Sequence, residues 1–266
     1  MASIHPTAII DGRADIGSDV TIGPYCVIGG DVCIADGCEL LSHVVVDGHT
    51  RIGERCRIHS FAVVGQTPQD MKYAGEASEL IVGARTVIRE HATLHPGTEC
   101  GGMVTRVGHD CLLMATTHVA HDCEVGNHVV MANNATLGGH VRVGDHAVLG
   151  GLSAVHQHVR IGPHAMIGGM SGVERDVIPY GSVMGNRAHL SGLNTVGMKR
   201  RGVGHDEILV MRQAYRMLFE SEGTFADRLA EVAELFADSE RVTEIVRFIR
   251  EATQRSICTP ERSRTV

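Results

Sequence analysis

His118 and His121 lie three residues apart in the stretch ATTHVAHDCEVGNH, residues 115–128, and Asp122 follows directly. Two imidazoles beside a carboxylate can do three things. They can ligate a divalent metal, since neutral imidazole and carboxylate are both zinc donors. One imidazole can act as a general base near neutral pH while the carboxylate fixes its tautomer. Or all three can be solvated decoration on a scaffold. The elements around them decide which.

Those elements follow a six-residue period. An aliphatic residue opens every block from Ile4 to Val64. The period resumes at Val82, Ile88 and Leu94, shifts by one residue, and runs on from Val107 to Val173. Counting the aliphatic position as i, position i+4 is small or β-branched, as at Ala8, Val20, Ala92, Ala135 and Ala165. Five of the eight cysteines (Cys26, Cys38, Cys56, Cys111, Cys123) fall at i+4 and none forms a CxxC pair, so they read as inward packing. A period of six fits neither helix nor simple alternation. It predicts a mainly β fold, a parallel β-helix of hexapeptide repeats with one aliphatic side chain pointing in per strand. The hand of the coil is left open by periodicity.

Composition agrees. Aromatic residues make up 3% of the 266 and there is no Trp, while Gly is abundant at 32, which suits narrow stacked coils. A net charge of −7 gives no field for nucleic acid. No stretch approaches the length that spans a bilayer and no signal peptide is visible, so we expect a soluble cytoplasmic protein.

Two excursions break the repeat, near 66–80 (QTPQDMKYAGEASEL) and 95–106 (HPGTECGGMVTR). Loops leaving a rigid scaffold are favoured places for function. The repeat fades near Pro179. HDEILVMRQAYRMLFES, TFADRLAEVAELFAD and ERVTEIVRFIREA then predict about three helices between 205 and 253, with Thr224 and Asp227 as a capping pair. The chain is thus expected to divide into a β-helix domain, 1–190, and a C-terminal α-helical domain, 191–266, whose tail after Cys258 is loose.

Fifteen of the 17 histidines lie in the repeat, none at i or i+4, so they decorate corners and outer faces. Residues 18 apart should stack on successive coils. His121, Gly139 and Gln157 then form one column, and Asp122, His140 and His158 the next, with His118 and His156 alongside. A second column, His128, His146 and His164, has no carboxylate, amide or Gly among its members and reads as turn chemistry. On the first column His121 suits a general base, Asp122 its orienting group, and the Gly139 amide an oxyanion donor.

The repeat resembles the hexapeptide-repeat, left-handed β-helix acyltransferases, over roughly residues 4 to 190. The segments QDMKYAG, AHDCEVGN, ANNATLGGHV, AVHQ and GMKRRG, residues 69–75, 120–127, 132–141, 154–157 and 197–202, are more closely similar to the UDP-N-acetylglucosamine O-acyltransferase family of lipid A biosynthesis. That resemblance implies the left hand, a homotrimer with sites between subunits, and an acyl carrier protein as donor. It implies that His121 activates the glucosamine 3-hydroxyl of UDP-N-acetylglucosamine, that Asp122 orients it, and that Gly139 serves the oxyanion. Gln69, Asp70 and Lys72 would contact the sugar nucleotide. His95, His118, His140, His156 and Gln157 would line the sugar and acyl region. Asn194, Arg200 and Arg201 would hold the nucleotide end. Val196 stands where the family often has an acidic residue. Gly169 would leave the floor of the acyl pocket open for a long 3-hydroxyacyl chain, with Met170 beside it. Lys199, Arg200, Arg201, Arg212 and Arg216 offer a basic patch to an acidic carrier protein. No metal or other cofactor is implied. A related N-acyltransferase, a zinc hydratase and a non-catalytic scaffold remain the alternatives; the N-acyltransferases normally carry a uridine-binding domain before the repeat, whereas here it begins at Ile4.

Overall fold

In the computed structural model the six-residue period becomes a three-sided coil. The structure describes residues 1–220, 222–251 and 253–261. Within them the prism strands, most of them two residues long, form three sheets of eleven, nine and eight strands. Up to the last coil each strand pairs in parallel with the one three places later, so Ile4 lies under Ile22 and Val107 under Val125. This is a left-handed parallel β-helix with helices at its C-terminal end. The aliphatic i residues and the small i+4 residues fill its axis: Ile22, Leu40, Ile58, Leu113 and Leu137 are at most 1% exposed, and all five i+4 cysteines are buried.

Three edges join the sheets, and their turns explain the histidines. In nearly every turn the residue at i+3 is left-handed, including Asp122, His128, His140, His146, His158 and His164, with φ between 55° and 64°. Among residues with a Cβ, Asn, Asp and His tolerate this region best, so much of the histidine pattern is turn preference. The rings then stack. His128, His146, His164 and Tyr180 form a continuous ladder with centroids 4.6, 4.8 and 5.0 Å apart. The sequence treats this column as turn chemistry, and the backbone angles agree.

Both excursions leave from the edge between the second and third sheets. The first lengthens one coil from 18 to 30 residues, pairing Ile52 with Val82, so the hexapeptide phase survives an insertion of twelve. The second pairs Val82 with Val107, 25 residues on, which produces the one-residue shift.

The coil closes with a hairpin, Gly181–Met184 against His189–Leu193. Four helices follow: α1 Thr195–Arg200, α2 His205–Glu220, α3 Phe225–Leu235 and α4 Glu240–Arg250. Thr224 caps α3, its Oγ1 accepting from the Asp227 N–H. Ile208, Met211, Leu218, Val232, Val242 and Ile245 are buried on the predicted faces. α1, which the helical pattern did not announce, is capped by Asn194. After α4 the chain returns to the prism, where Ile257 bridges to Asp176. Of the tail expected to be loose, 259–261 is described and Leu190 N–H donates to Thr259 O; the remainder lies outside the described residues. No described helix is long and apolar enough to cross a membrane.

Candidate active site

His121 and Asp122 occupy the edge between the second and third sheets, beside the roots of both excursions. The hexapeptide frame sets these side chains on an outer face, yet His121 and Asp122 are each 6% exposed and His95 5%, because the loops cover this edge. The second loop grips Asp122. Thr98 donates its N–H to Oδ1 at 2.8 Å and its hydroxyl to Oδ2 at 2.6 Å, while Thr105 Oγ1 accepts the Asp122 N–H at 2.7 Å. A Cβ at Gly101 would strike the Asp122 carboxylate, so glycine is what lets the loop close over it. The two loops also brace each other, Glu99 N–H donating to Glu76.

His121 Nδ1 lies 2.8 Å from Asp122 Oδ2. A carboxylate can only accept, so Nδ1 carries the proton and Nε2 presents its lone pair. The ring rests on Gly139, where a Cβ would come within 2.7 Å of Nε2. The coil spends the amides on either side of Gly139, Gly138 N–H on Val155 O and His140 N–H on His121 O. Among the described residues the Gly139 N–H donates to none, leaving a free donor beside His121.

The neighbouring imidazoles are held neutral. Burial, then His95 and His121, push His118 down to about 4, and its Nδ1 meets Thr93 Oγ1 at 2.7 Å. Burial likewise lowers His140 and His158, which stack at 4.4 Å. His95 Nδ1 faces the carbonyls of Gln66 and Thr67 at 2.9 Å, and its buried Nε2 has no partner. His156 and Gln157 stand exposed further along the same edge. Asp70 accepts from Lys72 N–H, and Lys72 reaches over a cleft of about 480 Å³ with Asp122, His140 and Arg142 in its wall. Gln69 is exposed on the same loop.

Other predicted residues stand elsewhere in this chain. Asn194 caps α1 through Oδ1 and donates Nδ2–H to His164 O, and Arg201 donates to His146 O. They sit on the edge between the third and first sheets, with Arg200 and Val196 exposed beside them. Gly169 and Met170 lie on the remaining edge, above Gly151. One chain therefore gathers His121, Asp122 and the neighbouring histidines, but not Asn194, Arg200, Arg201, Gly169 or Met170. Thr98, Thr105 and Thr93 escaped the sequence reading. For Thr98 and Thr105 the only signal was the Gly-rich, Thr-bearing composition of the second loop; Thr93 sits in a repeat strand, Thr93–Leu94, and carried none.

His121, Asp122 and His140 offer ligand atoms within 4.8 Å of one another, the one such group among the described residues. Both Asp122 oxygens, however, already accept from protein donors. One of those donors is His121 Nδ1 itself, so the carboxylate orients the ring as the structure stands.

Comparison with known proteins bears on the whole chain. A family model described as UDP N-acetylglucosamine O-acyltransferase, domain 2, matches residues 176–258, and one for bacterial transferase hexapeptide repeats matches 13–48 and 105–139. The acyl-[acyl-carrier-protein]--UDP-N-acetylglucosamine O-acyltransferase of Caulobacter vibrioides is 55% identical over 260 residues, 98% of this chain and 99% of its own. That of Azorhizobium caulinodans is 51% identical over 262 residues, covering 98% and 97%. The solved UDP-N-acetylglucosamine acyltransferase of Francisella novicida superposes with a TM-score of 0.94 at 34% identity, over 99% of this chain and 96% of that one. The Campylobacter jejuni structure gives 0.91 at 38% identity, over 97% and 100%.

Proposed function

The chain belongs to the UDP-N-acetylglucosamine O-acyltransferase family, and from that premise we propose that it transfers a 3-hydroxyacyl group from acyl carrier protein to the glucosamine 3-hydroxyl of UDP-N-acetylglucosamine, the first step of lipid A biosynthesis. The observation that carries the mechanism is the buried His121–Asp122 pair with Nε2 free beside the Gly139 amide.

His121 Nε2 takes the proton of the 3-hydroxyl as that oxygen attacks the thioester carbonyl. The Gly139 N–H receives the developing oxyanion. Asp122 holds the tautomer and stabilises the imidazolium that forms. When the tetrahedral intermediate collapses, the proton on Nε2 passes to the departing thiolate. Neutral His118, His140 and His158 add no competing cation to the pocket. Lys72 and Asp70 reach the sugar nucleotide from the first loop, with Gln69 beside them. The orphaned Nε2 of buried His95 is an acceptor for a substrate hydroxyl. His156 and Gln157 complete the lining.

A homotrimer would unite what one chain separates. The nucleotide-end residues Asn194, Arg200 and Arg201 and the floor residues Gly169 and Met170 stand on the two edges that bound the first sheet. Setting that sheet of one protomer against the catalytic edge of the next completes the site, in a head-to-tail contact that closes as a ring. The outer faces support this. Leu112, Val130, Val148 and Met166 stack in register down the first sheet as an apolar stripe. The corresponding column on the third sheet is Arg106, Glu124, Arg142 and Arg160. We read residues 1–190 as the catalytic domain and 191–266 as the domain that presents Lys199, Arg200, Arg201, Arg212 and Arg216 to the acidic carrier protein, in the cytoplasm.

An acyl-transfer assay with UDP-N-acetylglucosamine and a chain-length series of acyl carrier protein thioesters tests this reading. Gly169→Met should shift the preference to shorter chains: its Cβ would press to 3.2 Å on Gly151 O, a contact the backbone must ease by a few tenths of an ångström, and the longer side chain raises the floor. An unchanged preference would remove Gly169 from the pocket.

A further inference from the structure

We propose that Arg255 is a positioning residue that holds His156 in the neutral tautomer with its proton on Nε2, so that His156 presents an N–H donor to bound substrate. This rests on the reading of His156 as a lining residue.

Residues 253–258 form a strap tied to the fully buried Asp176. Thr253 Oγ1 donates to Asp176 Oδ2 at 2.9 Å, Asp176 N–H donates to Ser256 O at 2.9 Å, and Cys258 N–H donates to Asp176 O at 2.7 Å. Arg160 closes the other side. It donates Nε–H to Asp176 at 2.9 Å and Nη1–H to Glu251 at 2.6 Å. Arg255 projects from between these ties back over the catalytic edge. Its Nε–H donates to Gln157 O at 3.1 Å and its Nη2–H to His156 Nδ1 at 2.6 Å.

A guanidinium has five donors and no acceptor. The partner nitrogen must therefore offer its lone pair, which sends the imidazole proton to Nε2. His156 Nδ1 also lies 3.3 Å from Gln157 O, a contact that would need the opposite tautomer. The contact from Arg255 is far shorter and cannot reverse its polarity, so it decides. The same cation, after burial, helps hold neighbouring His158 neutral. The fixed fork of arginine makes both contacts at once, and a lysine ammonium cannot reproduce them.

Long-range proton–nitrogen correlation spectra of [15N]histidine-labelled protein, with the His156 signal assigned by its loss in His156→Gln, read the tautomer directly. We expect Nε2–H in the wild type and a mixture in Arg255→Met. The same variant should raise KM for UDP-N-acetylglucosamine by about two- to fivefold, since only part of the His156 population then keeps the competent tautomer, while kcat and melting temperature hardly move. Arg255→Lys should restore the tautomer and only part of KM. A wild-type proton on Nδ1, or wild-type KM in Arg255→Met, would overturn the proposal. Unchanged kinetics in His156→Ala would instead overturn the placement of His156 at the substrate, and with it the functional half of the proposal, while the tautomer signal still decides the Arg255–His156 link.

Discussion

Asp122 spends its carboxylate entirely on protein donors. Oδ1 takes Thr98 N–H, and Oδ2 takes the Thr98 hydroxyl and His121 Nδ1. Asparagine offers only one acceptor oxygen. With that oxygen at Thr98 N–H, the new amide faces Nδ1 and drives the His121 proton onto Nε2, where the base is needed. With the amide turned round, two N–H groups oppose each other in a buried site. Asp122→Asn should therefore lower turnover by about 10²–10⁴, the usual worth of general-base catalysis, and also lower the melting temperature. Turnover within a few-fold of wild type would remove Asp122 from the mechanism. The His121–Asp122 pair was legible in the sequence because the hexapeptide frame fixes which side chains point outward and which residues stack. The grip of Thr98 was not, since it runs from an aperiodic loop to a residue 24 positions away.

At the scale of elements, the repeat was readable because each coil buries the same positions in the same way. The one-residue phase shift was visible too, and it corresponds to the seven residues the second loop inserts into its coil. What the period could not reveal is that both loops rise from one edge and bury it, because loops carry no periodic signal. The stacked ladder on the edge between the third and first sheets has its own consequence. Burial, then His146 and Arg201, hold His164 down to about 4, below the ordinary 6.5. Between those values the unfolded chain binds a proton that the folded chain refuses. His164 therefore contributes stability that is full above about pH 6.5 and is lost as pH falls toward 4. His164→Asn keeps the left-handed turn residue and removes the titration. Its melting temperature should fall less steeply than wild type between pH 6.5 and 4; parallel curves would show that the ladder plays no part.

For the whole molecule, no single chain brings the base together with the residues assigned to nucleotide and acyl floor. Read through its resemblance, the sequence implies a trimer, but that the assigned residues stand on three separate edges is seen only once the loops and α1 are placed. Asn194 illustrates why. Its amide both caps α1 and ties that helix to His164 O, a contact spanning 30 residues and two kinds of structure. If the apolar stripe on the first sheet is buried in the ring, Val148→Glu should release folded monomers on sedimentation, with acyl transfer lost at the same time. A Val148→Glu protein that remains trimeric and active would refute this arrangement.

The central claim is that His121 is the base for acyl transfer to UDP-N-acetylglucosamine. The most direct test is the turnover of purified wild type and His121→Ala with that acceptor and a 3-hydroxyacyl carrier protein thioester, under conditions where both proteins are folded and equally assembled. With His121 as the base, the wild type should yield a 3-O-acylated sugar nucleotide and the variant a rate lower by about 10²–10⁴. Turnover in His121→Ala at the wild-type rate, or no product from the wild type with any thioester of the series, would contradict it.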